Sequence, residues 1–449
     1  MIDHMSVSIL FFGLYIAIVI AIGLISSREG NEEKFMMAER KVKGVQLAAT
    51  FSATFFDGAM LSIYLAYVYQ FGWSAVSLFI GLALGFLLLK KYAGVIKEKA
   101  DELGVYSMPE YFYRLFGKRN GMMFTGFTLV MLLSLLVINL IISGKILTGI
   151  FGIAYPVSVA IGGVVILSYL LLAGFNAVVK TDFFQLVIMF VMSLGVAVFL
   201  FGPGTFSPLN FDFSGTSLGN SFGFLILAGL GVLVTPDTWQ RVFAANDTKS
   251  LKKGLGYAGI LLLVLGVCIT VLGLATRHAF PGILPEDALI TGFSGLLPPG
   301  LKELGIVLLY AVALSSSDTE IFVISSVITR DLKNYTRKYS EESMRRMTRF
   351  IMFLLVVIVS LVAIFYQNIL SLGFSLASLN LALFPVVFGS LYWKLKESAV
   401  FWSLVLSFIS VFVLFVGNWL SPQTATVSLP VALFSLIIFQ WLFRERHVD

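Results

Sequence analysis

Charge is scarce in this chain of 449 residues. Only 12% of them are Asp, Glu, Lys or Arg, against 58% hydrophobic. Soluble globular chains carry about twice that charged fraction, so most of the chain is read as embedded in lipid. Cysteine is nearly absent. Cys268 stands alone inside an apolar run, which excludes an intramolecular disulfide framework. His4, His278 and His447 are the only histidines and fall outside the apolar runs, which argues against haem or a His-ligated metal within the membrane. There is no P-loop and no Gly-rich nucleotide fingerprint. The nearest string, Ser143-Gly144-Lys145, sits in an apolar run without the upstream loop, so a nucleotide partner and an ATP-driven engine are not expected. No catalytic triad or zinc motif supports an enzyme. The net charge of +6 sits in short loops without a basic, aromatic-interleaved stripe, so a nucleic-acid partner is not expected either. Alternating polarity at about ten-residue spacing, the mark of a large β-barrel, is also missing.

What remains is a series of long apolar runs. Crossing the hydrocarbon core takes roughly 20 apolar residues in a helix. Thirteen runs qualify, at about 7–25, 44–68, 73–95, 121–149, 155–173, 178–201, 219–240, 253–275, 300–328, 347–367, 369–392, 398–417 and 427–443. With backbone groups obliged to bond internally in lipid, they predict an all-α polytopic membrane protein. The first run lacks a basic start and a cleavage site and is read as a retained helix. With the N-terminus outside, 28 of the 31 basic residues fall in inside loops. Lys and Arg gather on the cytoplasmic side, so the C-terminus is expected inside. Residues 1–449 are read as one transmembrane domain in the cell membrane, with the lipid bilayer as partner.

Polar residues within these runs are the candidates for function, because each costs insertion energy. In the second run, Asp57 is followed by Gly58. One reading is a broken helix that binds a cation or a substrate amine; the other is a carboxylate that only caps a kink. In the ninth run, Ser315, Asp318 and Thr319 stand at i, i+3 and i+4, three oxygen ligands on one helix face, which favours a hard cation over interhelical glue. Ser317 alone is read as such glue. Asp182 opens the sixth run, where an N-cap and a functional role are equally open. Asn139 is a pocket residue or an interhelical hydrogen-bonding group. Glu320 faces a cavity or pairs with a base. Asp237, after Pro236, is read as structural. Lys145 is expected to snorkel outwards.

Four strings together resemble the sodium/solute symporter family. They are Gly174-Phe175-Asn176-Ala177-Val178-Val179-Lys180-Thr181-Asp182-Phe183-Phe184-Gln185; Trp239-Gln240-Arg241-Val242-Phe243-Ala244-Ala245; Leu314-Ser315-Ser316-Ser317-Asp318 leading to Ile328-Thr329-Arg330-Asp331; and Met108-Pro109-Glu110-Tyr111-Phe112 through Phe116-Gly117-Lys118-Arg119. The resemblance implies a LeuT-like fold of two inverted five-helix repeats, at 44–201 and 219–392. One helix precedes them (7–25) and two follow (398–443). It implies a sodium site from Ala53, Phe56, Val312, Ser315 and Ser316. A second ion site would use Asp182, Ser315, Asp318 and Thr319. Substrate would lie between the broken first helices of the repeats.

The substrate-facing positions are then Phe55, Asp57, Gly58, Met60, Asn139, Ala228 and Gly231. Met60, Ala228 and Gly231 are apolar or small where sugar-binding members carry polar groups, which argues against a sugar. Asp57 is an unusual acid for its position and suggests a cationic or zwitterionic solute. The expectation is sodium-coupled symport of a small organic solute, amine or amino acid. Proton coupling through Asp57, Asp182 or Asp318 is the alternative.

Overall fold

The computed structural model describes residues 44–105, 107–173, 216–335 and 341–443, with isolated positions between 10 and 17 and at 195. The sixth expected run, all but Gly195, and most of the first lie outside the described residues. Each of the eleven other runs is helical, and no strand occurs among the described residues. Eight helical stretches there are long and apolar enough to cross a bilayer.

Two runs are broken, each by residues that oppose helix continuation. The second splits into α1 (Gly44–Phe55) and α2 (Gly58–Phe71). Asp57 takes an extended backbone (φ −78°, ψ 179°), and its carboxylate accepts from the Met60 N–H at 2.7 Å. It therefore starts α2 as an N-cap rather than continuing α1. The seventh run splits into α6 (Leu218–Gly231) and α7 (Pro236–Ala244). Pro236 sits in the first turn of α7, where its missing N–H costs nothing.

The remaining helices are α3 (Val76–Leu103), α4 (Met108–Phe151), α5 (Tyr155–Ala173), α8 (Thr248–Ala279), α9 (Ala288–Leu296), α10 (Leu301–Tyr335), α11 (Glu341–Phe365), α12 (Ile369–Tyr392), α13 (Glu397–Val416) and α14 (Ser428–Leu442). The Met108-Pro109 motif opens α4 behind a Ser107 cap. The helix then kinks at Phe116 and Gly117, where Gly117 takes φ 73°. This left-handed backbone is one that glycine adopts freely. The motif thus makes a short helical piece set at an angle to the long run that follows.

The broken helices are held by α3 and α8. α3 packs against α6, and α8 against α1 and α2. Small residues make these approaches possible, as at other membrane helix contacts. A methyl group on Gly81 would lie 2.7 Å from the Leu225 carbonyl oxygen, and one on Gly254 2.6 Å from Leu47 Cβ. α4 packs on α10 and α5 on α11. α12 is largely buried, whereas α11, α13 and α14 keep much of their apolar surface outward, towards lipid.

Candidate solute and ion site

Asp57 caps a new helix, and the second run is broken at that point. The cap sits between packed helices. A helix leaves its last four carbonyls without intrahelical donors. At the end of α1 these are the carbonyls around Ala53–Phe56. A cation can use such oxygens without any side-chain contribution. Phe56 and Gly58 are buried on either side of Asp57, while Asp57 itself and Met60, one turn on, are only partly covered.

The start of α2 is pressed onto α10. A Cβ on Gly58 would lie 2.8 Å from Ala313 Cα. This contact puts the break beside the α10 turn that holds Val312 and Ser316. The Ser316 hydroxyl donates to the Val312 carbonyl at 3.2 Å, and Ser317 donates to the Ala313 carbonyl at 2.7 Å. Ser316 is partly covered and Ser317 fully buried. The Ser317 hydroxyl is thus bonded within its own helix, and Ser316 is the hydroxyl of this pair with accessible surface. The side chains of Ala53, Ser315, Asp318 and Thr319, and all of Asp182, lie outside the described residues.

Asn139 of α4 comes to the same place. Its Oδ1 would lie 3.0 Å from a Cβ on Gly58, and its side chain is fully buried. Its amide Nδ2 donates to both oxygens of Glu320 on α10, at 3.4 and 3.3 Å. Glu320 is 5% exposed. The carboxylate needs a donor, which fixes the amide with Nδ2 towards Glu320 and Oδ1 towards the break. Asn139 Oδ1 has no hydrogen-bond partner among the described residues. The structure shows Asn139 as an interhelical hydrogen-bonding group, with its oxygen beside the break. Its partner Glu320 lies 181 residues away, a pairing that no local signal carries.

Other expected positions point elsewhere. The Phe55 ring packs edge-on against Phe86 of α3, with centroids 5.4 Å apart. Ala228 packs against α3, its Cβ 3.2 Å from where a Gly81 Cβ would be. Gly231 ends α6. Its carbonyl accepts from the Thr235 hydroxyl at 2.9 Å and from the N–H groups of Val234 and Thr235 at 3.0 Å. In the same break, the Leu233 carbonyl accepts from the Trp239 indole N–H at 2.8 Å. Trp239, from the second motif, thus seals this break from within the protein.

Arg241 of that motif does a different job. Its Nε donates to the Thr50 carbonyl and hydroxyl, both at 3.1 Å, and its Nη1 to the Asp237 carbonyl at 2.9 Å. It ties α7 to α1. Asp237 and Arg241 are both within electrostatic reach of Asp57. At the other end of the site, Lys145 is not simply directed to the surface. It forms an ion pair at 2.5 Å with Asp287, in the turn that leads into α9. That turn packs on α2, and α9 after it packs on α2 and α10. Among the described residues no three His, Cys, Asp or Glu converge on a metal-sized space. The oxygens that do converge near the break are backbone carbonyls, the Ser316 hydroxyl, the Asn139 amide oxygen and the single carboxylate of Asp57.

The profile of the sodium:solute symporter family matches residues 35–210 and 213–407. The osmoregulated proline transporter OpuE of Bacillus subtilis is 26% identical over 420 residues, covering 87% of this chain and 85% of its own. A sodium/proline symporter of Staphylococcus aureus is 27% identical, covering 86% and 81%. A Na+-coupled sialic acid symporter, solved substrate-bound and outward-open, superposes with a TM-score of 0.74 at 17% identity over 97% of this chain and 98% of that one. A nucleobase-cation-symport-1 family transporter in a closed conformation gives 0.57 at 12% identity, over 90% and 94%. These likenesses show the fold, which is the LeuT-like one that the motifs implied. The family profile covers most of the chain, and with it the chain belongs to the sodium:solute symporter family, as a multi-pass membrane protein with sodium as its coupled ion.

Proposed function

We propose that this protein is a secondary active transporter that moves a small amine or amino acid by alternating access, with sodium bound beside the α1–α2 break. The observation that carries this reading is the contact between Gly58 and Ala313. It brings the open carbonyls at the end of α1 to the α10 turn of Val312 and Ser316. In this reading Ala53, Phe56 and Val312 offer carbonyls to the ion, and Ser315 and Ser316 offer hydroxyls. Ser316 releases its bond to Val312 as the ion arrives. Oxygen ligands of this kind suit a hard alkali cation. Asp182, Ser315, Asp318 and Thr319 form the second ion site of the proposal.

The solute occupies the space faced by Asp57, Gly58, Met60 and Asn139. Ala228 and Gly231 border it through their backbone. The pairing of α3 with α6 and of α8 with α1 and α2 supports repeats at 44–201 and 219–392 that exchange roles across the site. The basic loops support an outside N-terminus and an inside C-terminus. A sodium ion crossing 100 mV contributes ~2.3 kcal/mol, enough to drive uphill uptake.

The test is thermal stability of the purified protein with small solutes, in sodium and in potassium at equal ionic strength. Ligands that bind the folded state raise the melting temperature. A solute whose stabilisation requires sodium is the expected result. Equal stabilisation in both salts would overturn the reading.

A further inference from the structure

The groups that face the α1–α2 break are unequal in kind. A helix N-terminus ordinarily offers N–H donors and a positive dipole end to an anion. Here α2 offers neither freely. The Asp57 carboxylate accepts from the Met60 N–H at 2.7 Å, with the Ala59 N–H also directed to it. Its carboxylate lies over the positive end of the dipole, which favours the ionised form. Arg241, a strong donor within electrostatic reach of Asp57, is engaged with Thr50 and with the Asp237 carbonyl. Among the described residues set against Gly58, the open groups are acceptors. Asn139 Oδ1 is fully buried, unpartnered among the described residues and directed at Gly58. Asp57 is partly accessible beside it. A solute carboxylate placed here would find a carboxylate already seated where it would bind, and an amide oxygen facing it. A protonated amine would find two acceptors, one of them charged.

Resting on the transport reading above, we infer that the solute is a protonated amine without an α-carboxylate, held by Asp57 and Asn139, and that Glu320 is a positioning residue that keeps the Asn139 oxygen turned towards it. An unpaired buried acceptor is costly, and a solute N–H would satisfy this one. The Asn139 amide can serve only if Nδ2 stays on Glu320. Losing that anchor lets the amide turn and present donors instead.

The test uses the full chain in detergent and matched pairs of probes: pyrrolidine with L-proline, isobutylamine with L-valine, and phenethylamine with L-phenylalanine. Binding is read by melting temperature in sodium. In at least one pair the amine is expected to bind about tenfold or more tightly than its carboxylated partner, some 1.4 kcal/mol. Asp57→Asn should abolish that preference while sodium alone still stabilises the protein over potassium. Glu320→Gln should reduce the preference, and Glu320→Asp should restore part of it.

Tighter binding of the amino acids overturns the inference, as does binding of no amine while sodium still stabilises; both leave sodium-coupled transport standing. A sodium effect lost in Asp57→Asn with the amine preference intact would make Asp57 an ion ligand and overturn it too. No sodium effect in the unaltered protein would instead remove the transport reading beneath it.

Discussion

Gly58 and Ala313 meet backbone to backbone, so closely that a Cβ on Gly58 would lie 2.9 Å from the Ala313 nitrogen. Neither atom belongs to a flexible side chain, so a substitution cannot be absorbed by a rotamer change. Gly58→Ala should push the start of α2 away from α10. Overpacking of this kind costs about 1–3 kcal/mol. The larger effect should fall on sodium, because the α1 carbonyls and the α10 turn would separate. Titrating sodium against melting temperature should give an apparent affinity weaker by roughly tenfold or more, equivalent to ~1.4 kcal/mol. An unchanged affinity would detach the contact from ion binding.

Ser316→Ala tests the ion site from the other side. The hydroxyl bonds to the Val312 carbonyl of its own helix, so removing it leaves no buried partner stranded. Stability in potassium should therefore move by less than about 1 kcal/mol. The extra stability in sodium should disappear. A variant that keeps the full sodium effect would take Ser316 out of the site.

Arg241→Gln should loosen the tie between α7 and Thr50. Removing a charged donor to partly buried oxygens costs on the order of 1.5 kcal/mol. Here that energy is expected as a shift in conformational balance as well as in stability. A cysteine introduced at Thr54, in a Cys268→Ser background, should react faster with an impermeant thiol reagent from the side where Arg241 lies. Labelling rates in right-side-out and inside-out vesicles would measure this. Equal rates with and without Arg241 would make the tie purely structural.

The Lys145–Asp287 pair joins α4 to the segment leading into α9. Asp287 is 41% exposed, so the pair should contribute no more than about 1 kcal/mol to stability. Its expected effect is on access. Lys145→Met and Asp287→Asn should each change the rate of solute uptake into proteoliposomes without lowering the melting temperature by more than a few degrees. The charge-reversed pair, K145D with D287K, should recover much of the loss. Failure of the double variant with normal stability would separate the pair from gating.

The parts of this architecture that could be read from sequence are those where one residue contradicts its surroundings. Asp57 announces the first break because a carboxylate in an apolar run must find donors, and the nearest are the N–H groups of a new helix. The second break came only with the family resemblance: 219–240 reads as one run, although Pro236 stands where the new helix begins. Partners distant in the chain were not legible. Asn139 and Glu320 each look like an isolated polar residue, and only the packing of α4 on α10 joins them. Lys145 reads as a snorkelling side chain until Asp287 is brought above it. Rotational register was also hidden. Phe55 and Ala228 lie close to the breaks in sequence, yet both turn towards α3, because Gly81 and the α3 aromatic surface admit them there.

The two helix breaks are alike in topology and opposite in chemistry. In the second, Gly231 and Leu233 have their carbonyls filled by Thr235, Val234 and Trp239. In the first, the oxygens stay available and a carboxylate stands among them. On the transport proposal, a cargo lodged between the breaks would meet one wall of open oxygens and one wall whose carbonyls are already bonded. It would travel in a fixed attitude, its nitrogen turned towards the first repeat and its hydrocarbon towards the second. The molecule would discriminate among amphiphiles by which end leads, beyond mere size.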